Sequence, residues 1–204
     1  MERDTLMIGG VEFNSRFILS SGKTGHYTNE LIHSAIDDAG VEMISVALSH
    51  LNEEDNGWKQ APEGIKFLPT TLGARTLDDV IKMAHLSKDR GLGDFIKVEI
   101  LHDLKYELPD NDATVEATRI LTEEGFKVLS YFYPDMVLAE ELVKAGAVAI
   151  MPLASPSGSS KGLQTRDFIA AMVGRFDVPI IVDAGIGRPS QACEAMEIGC
   201  DGIM

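Results

Sequence analysis

Residues 125–153 read GFKVLSYFYPDMVLAEELVKAGAVAIMPL. The apolar run Lys127–Phe132 predicts a strand. Met136–Ala145 then carries a helical pattern, and Gly146 stops it. A second apolar run, Ala147–Leu153, predicts the next strand. Strand, helix and strand joined by short turns form the unit from which parallel sheets are built, because parallel neighbours need a crossover connection.

The same rhythm extends both ways from this unit. Upstream lie strands at Phe17–Leu19, Met43–Leu48, Lys66–Leu68 and Phe95–Leu101. Between them come helices at Leu31–Ala39, ended by Gly40, and at Thr76–Ser87. Thr76 caps the latter, whose apolar stripe is Leu77, Val80, Ile81 and Ala84. Ala113–Glu124 is a further helix, stopped by Gly125. Downstream come a helix through Phe168–Val173, a strand at Val178–Ala184, a helix at Gln191–Ile198 stopped by Gly199, and an eighth strand opening at Gly202–Met204. Seven βα units and the start of an eighth predict an α/β protein, a (β/α)8 TIM-type barrel, as one domain over residues 1–204. The chain stops at Met204, so the expected barrel lacks most of strand 8 and helix 8. A doubly wound sheet is the competing fold, but the first turn, Ser20-Ser21-Gly22-Lys23, is not its Gly-rich phosphate turn. Residues 49–64, with Glu53-Glu54-Asp55 and Trp58, read as a surface loop.

With 18 basic and 32 acidic residues, the net charge is −14. Such a surface repels nucleic acid and anionic membranes, so an anionic ligand needs a local pocket of backbone amides or cations. Hydrophobic residues at 45% and charged residues at 25% of 204 give enough core to fold without metal or disulfide staples. Cys193 and Cys200 match no metal or disulfide pattern and read as small buried hydrophobes. No apolar run is long enough to span a membrane, and Met1–Gly10 lacks a signal-peptide core. The expectation is a soluble protein of a reducing compartment, most simply the cytoplasm.

Chemistry concentrates at the ends of three strands. In Asp94-Phe95-Ile96-Lys97-Val98-Glu99-Ile100, side chains alternate faces. Ile96, Val98 and Ile100 share the helix-facing side, so Phe95, Lys97 and Glu99 point inward. A lysine there is either half of a structural ion pair or a catalytic amine. Burial lowers a lysine's pKa, and the neutral amine can attack a ketone to form an imine, with Glu99 relaying protons. Asp183 ends the apolar strand 178–184, where barrel enzymes keep catalytic groups, or it serves as a loop hydrogen-bonder. The glycines after it permit close backbone approach to a ligand. The stretch Ala154-Ser155-Pro156-Ser157-Gly158-Ser159-Ser160-Lys161-Gly162 is a flexible turn or a phosphate cradle of backbone amides, with Lys161 as an added cation. Lys23 is a rival imine-forming lysine, and Arg75 is an anion binder or a surface arginine. None of the five histidines falls in a metal-binding spacing. His50 and His102 either edge a pocket or are solvated. Tyr131-Phe132-Tyr133-Pro134 line a pocket mouth or pack.

Taken in order, these segments resemble bacterial thiazole synthase, the thiazole-forming enzyme of thiamine biosynthesis. The resemblance runs from Ile8-Gly9-Gly10 through Gly202. It is carried by Ser15-Arg16-Phe17-Ile18-Leu19, Ser21-Gly22-Lys23, Gly73-Ala74-Arg75-Thr76, Phe95-Ile96-Lys97-Val98-Glu99, Leu108-Pro109-Asp110, Ala149-Ile150-Met151-Pro152-Leu153 and Val182-Asp183-Ala184-Gly185-Ile186-Gly187. It implies a (β/α)8 barrel, a transferase of sulfur-containing groups. Such an enzyme condenses 1-deoxy-D-xylulose 5-phosphate, dehydroglycine and the C-terminal thiocarboxylate of a small sulfur-carrier protein into a thiazole phosphate carboxylate. It implies imine formation at Lys97, proton transfer by Glu99 and Asp183, and phosphate binding at Gly158, Ala184 and Gly185. It implies a homo-oligomer that docks the carrier's tail, and neither metal nor organic cofactor. Against the family pattern, Ala154 and Ser160 replace glycines, Ser49-His50 replaces basic residues, and the phosphate-binding Asn-Thr pair beyond strand 8 falls after Met204. Two alternatives stand beside this reading. One is a non-catalytic or truncated barrel that keeps the carrier dock. The other is a different imine-forming barrel, such as a class I aldolase.

Overall fold

The computed structural model describes residues 4–20, 29–48, 64–102, 105 and 107–204. Lys23, His26, His50 and Trp58, and with them the turn at Gly22-Lys23 and most of the stretch 49–64, lie outside these residues.

Six strands form one parallel sheet in chain order: β3 (Ile18–Ser20), β4 (Met43–Ala47), β5 (Lys66–Thr70), β6 (Phe95–Val98), β7 (Lys127–Phe132) and β8 (Ala149–Pro152). Two further strands, β9 (Ile181–Val182) and β10 (Gly202–Ile203), pair parallel with each other. Parallel bridges join them to the sheet on both sides. Ile150 pairs with Ile180 and Leu153 with Asp183, while Ile203 pairs with Phe17. Eight parallel strands thus close a ring, the TIM-barrel architecture that the spacing of the βα units predicts. The two residues of β10 are enough for closure. The Ile203 amide donates to the Arg16 carbonyl at 2.9 Å, and Arg16 Nη1 donates to the Asp201 carbonyl at 2.7 Å. The expected strand 178–184 is shorter than its apolar run suggests, because Pro179 has no N–H to give a ladder.

Side-chain parity divides the core as the strand pattern predicts. Ile96, Val98, Ile100 and Val128 pack outward against Val80 and Ala84 of α2 (Leu77–Asp89) and Ala117 and Leu121 of α3 (Asn111–Glu123). Phe132, Ile150 and Val182 pack against Leu138 and Leu142 of α4 (Met136–Lys144), Ile169 of α5 (Arg166–Met172) and Ala195 of α6 (Pro189–Ile198). Leu19 and Ile44 pack on Ile32, Ala35 and Ile36 of α1 (Asn29–Asp37). Capping sets the helix starts. Thr76 and Asp79 form a reciprocal capping box, and the Asp110 and Asp135 side chains accept from the Ala113 and Leu138 amides. Asp110 and Pro189 start α3 and α6 two residues before the helical periodicity begins.

An antiparallel hairpin, β1 (Leu6–Ile8) and β2 (Val11–Phe13), precedes the ring. Its turn, Gly9-Gly10, has φ of +54° and +78°, a backbone that glycine adopts without steric cost. Leu6, Ile8 and Phe13 pack into the barrel interior with Met43, Phe95 and Ile181. The Phe13 and Phe95 rings meet edge-on at 6.3 Å. Hydrophobic side chains therefore plug the end of the barrel at which the strands begin.

The two cysteines separate. Cys200 is buried against the outer layer, and burial pushes its thiol up to about 11. Cys193 is exposed, which corrects the expectation of two buried thiols: only Ala195 of α6 is buried, and Cys193 falls on the opposite face. Iodoacetamide at pH 8 is expected to alkylate Cys193 and spare Cys200 in the folded protein, read by peptide mass spectrometry. Equal labelling at both would show that α6 does not cover Cys200. No helix of the described residues is long and apolar enough to cross a membrane.

Candidate active site

A cavity of about 740 Å³ opens where the strands end. Lys97 rises into it from β6, only 5% exposed, and Glu99 and Asp183 are equally buried beside it. Lys97 Nζ lies 2.5 Å from Asp183 Oδ2 and 3.1 Å from Glu99 Oε2. The two carboxylates come from positions far apart in the chain and are joined by one ammonium.

Each carboxylate is held from behind. Thr70 Oγ1 donates to Glu99 Oε2 at 3.1 Å. Thr71 Oγ1 donates to the Glu99 carbonyl and accepts from the Glu99 amide, both at 2.9 Å, so the backbone carrying Glu99 is pinned on two sides. Asp183 Oδ1 accepts from the Ala184 amide at 2.6 Å. Asp183 Oδ2 has only its ion-pair contact with Lys97 and accepts no well-directed hydrogen bond among the described residues.

The electrostatics correct one expectation. Burial by itself pushes the Lys97 ammonium down, but the Asp183 and Glu99 carboxylates outweigh it and hold its pKa above the ordinary lysine value. The resting site is therefore an ammonium between carboxylates, with no free amine. For this lysine to act as a nucleophile it would first have to pass a proton to an adjacent carboxylate. Tyr131 on β7 completes the floor, with the Lys97 ammonium 4.6 Å from its ring centroid, a cation–π distance.

Gly158, Ala184 and Gly185 line the cavity, so all six residues singled out in the sequence meet there. Ala184 and Ser160 are in the left-handed region at φ +62° and +53°, whereas Ala154 is not and sits buried in the outer layer. Of the two alanine or serine replacements of family glycines, only Ser160 carries backbone strain, about 1–2 kcal/mol. Gly185, at φ +73°, runs so close to Ser155 that a Cβ on it would lie 1.8 Å from Ser155 Oγ. The Gly162 amide donates to the Gly185 carbonyl at 2.9 Å and ties the two loops together.

Lys161 and Arg75 are exposed and do not line the cavity. His102 is exposed and paired with Asp110 at 3.1 Å, which is the solvated-loop reading. Arg188, which the sequence reading missed, stands at the cavity rim just before α6. Its signal was the adjacent Pro189, which marks a helix start pointing at the glycine run. Among the described residues no group of three or more His, Cys, Asp or Glu is placed to hold a metal.

Residues 7–204 match the family described as "Thiazole biosynthesis protein ThiG". Thiazole synthase of Clostridium beijerinckii is 52% identical over 100% of this chain and 79% of its own length. That of Fusobacterium nucleatum is 50% identical over 99% of this chain and 78% of its own. Among solved structures, the Amycolatopsis orientalis BexX/CysO complex superposes with a TM-score of 0.82 at 28% identity, covering 97% of this chain and 82% of that one. A mandelate oxidase, at 17% identity and a TM-score of 0.67, shares the fold alone.

Proposed function

Because the chain belongs to the thiazole biosynthesis protein ThiG family, the thiazole synthases of thiamine biosynthesis, we propose that it captures 1-deoxy-D-xylulose 5-phosphate as an imine on Lys97. The captured sugar is joined with dehydroglycine and with sulfur from a carrier protein's thiocarboxylate to give the thiazole phosphate carboxylate. The observation that carries this reading is one buried lysine held between two carboxylates at the floor of a cavity of about 740 Å³.

In the capture step, Lys97 passes a proton to Asp183 or Glu99, and its neutral amine forms a C–N bond to the ketone carbon. The carbonyl π pair moves to oxygen. That oxygen leaves as water with two of the three ammonium protons, and the third stays on the iminium nitrogen. The sugar phosphate sits against backbone at Gly158, Ala184 and Gly185, with the amino end of α6 and Arg188 at the rim offsetting the protein's net charge of −14. A small carrier protein docks at this mouth; the similar BexX is known in complex with CysO, which supports a protein partner. The protein acts as a homo-oligomer in the cytoplasm, and neither metal nor organic cofactor takes part.

Borohydride reduction of the complete protein with 1-deoxy-D-xylulose 5-phosphate, followed by peptide mapping, tests the reading. The expected adduct is on Lys97. An adduct on Lys23 would keep the reaction class and move the amine, and no adduct would overturn the proposal.

A further inference from the structure

Tyr131 occupies an inward position of β7, lines the cavity and is 1% exposed. Its ring carries the Lys97 ammonium. Its hydroxyl is fully buried and has no hydrogen-bond partner among the described residues. A buried hydroxyl without a partner is destabilising relative to the same ring without oxygen. Phenylalanine would fill the space and keep the cation–π contact. The other polar groups on the floor are committed: Lys97 to both carboxylates, Glu99 to Thr70 and Thr71, and Asp183 Oδ1 to the Ala184 amide. The capture step needs a neutral donor facing the oxygen on which charge develops, and the tyrosine hydroxyl, on the ring beside Lys97, is uncommitted.

We propose, resting on the imine reading above, that Tyr131 is a catalytic residue whose hydroxyl donates a hydrogen bond to the substrate carbonyl oxygen as Lys97 attacks. The proton stays on the phenol. The O–H holds the oxygen while the π pair moves onto it, and the proton that makes water comes from Lys97 by way of a carboxylate. Burial, with Asp183 and Glu99 nearby, pushes the phenol's pKa well above its usual value, so the group remains a donor over the whole working range. Donors of this kind, placed where charge appears, are worth about 10²–10³ in rate at the upper end.

The test compares wild-type protein and Tyr131→Phe by rapid-quench borohydride trapping over a series of sugar phosphate concentrations, together with thermal melts. The expected result is a capture rate at saturation lowered about 10- to 100-fold. Sugar affinity should be unchanged and the melting temperature equal to or above wild type, since an unpaired buried hydroxyl has been removed. A purely structural tyrosine would change the melt and leave the saturated rate alone, which would overturn the proposal. So would a variant that loses affinity at an unchanged saturated rate. Wild-type protein that forms no adduct overturns the imine reading and this inference together. A wild-type adduct matched at equal rate by Tyr131→Phe overturns this inference alone.

Discussion

Lys97→Ala is expected to abolish borohydride-stable capture of the sugar and to lower thiazole formation by roughly four orders of magnitude or more, the scale of removing a nucleophile. It is also expected to weaken the fold. Glu99 and Asp183 are each 5% exposed and face one another across the ammonium. Removing the cation from a buried ion pair costs about 3–5 kcal/mol, because the remaining charges are left uncompensated. The pH dependence separates charge from packing. The folded pKa of Lys97 lies above the ordinary lysine value, so the stability it contributes is complete below about pH 10.4 and is lost as pH rises through the folded value. Urea titrations should show a constant gap between wild type and variant from about pH 6 to 9 and a narrowing gap above about pH 10.4. Lys97→Met, which keeps the stem's volume, should show the same narrowing. A gap independent of pH to the alkaline limit would mean that Lys97 stabilises by packing alone.

Gly185→Ala should be the most damaging single methyl in the site. The added Cβ would meet Ser155 Oγ at 1.8 Å and the Ser155 carbonyl at 2.8 Å. The hydroxyl can rotate away, though it would break its 3.1 Å contact with Ser159, but the carbonyl is backbone and cannot. The residue also sits at φ +73°, where a side chain adds about 1–2 kcal/mol of strain. Overpacking adds about 1–3 kcal/mol, so a loss of about 2–5 kcal/mol is expected. Gly158→Ala is the internal control. Its φ is +75°, but a Cβ there meets nothing within 4 Å, so only the strain remains. Denaturant melts should rank the two in that order. The KM for sugar phosphate should rise in Gly185→Ala by about tenfold or more, since displaced backbone amides no longer converge on one anion. Equal stability of the two variants would show that the loop 155–162 yields freely to Gly185.

What was legible in the chain was what depends on period and spacing. Alternation along 94–100 places Lys97 and Glu99 inside and Ile96, Val98 and Ile100 outside, and the sheet keeps that parity. Repetition of the βα unit reads as a barrel. The hairpin before it was not legible: its arms, on either side of Gly9-Gly10, are only three residues each, too short for alternation to be counted. What depended on distant partners was not legible. Burial alone predicts a depressed lysine pKa, and the sign reverses because Asp183, on a strand 86 residues further along, arrives at 2.5 Å. The support of Glu99 by Thr70 and Thr71, the unpaired hydroxyl of Tyr131 and the outward face of Cys193 are likewise products of packing.

Ring closure ties residues 185 positions apart, through Arg16 and Asp201. On a ribosome, the sheet β3–β8 is complete once Pro152 has emerged, yet its β8 edge has no partner until residues 180–183 follow, and its β3 edge none until residues near 203. At roughly 5–20 residues per second, the β3 edge stays bare for roughly 3–10 s. Bare parallel edges invite pairing with other chains. Aggregation during synthesis, more than instability of the finished ring, is where this architecture is exposed.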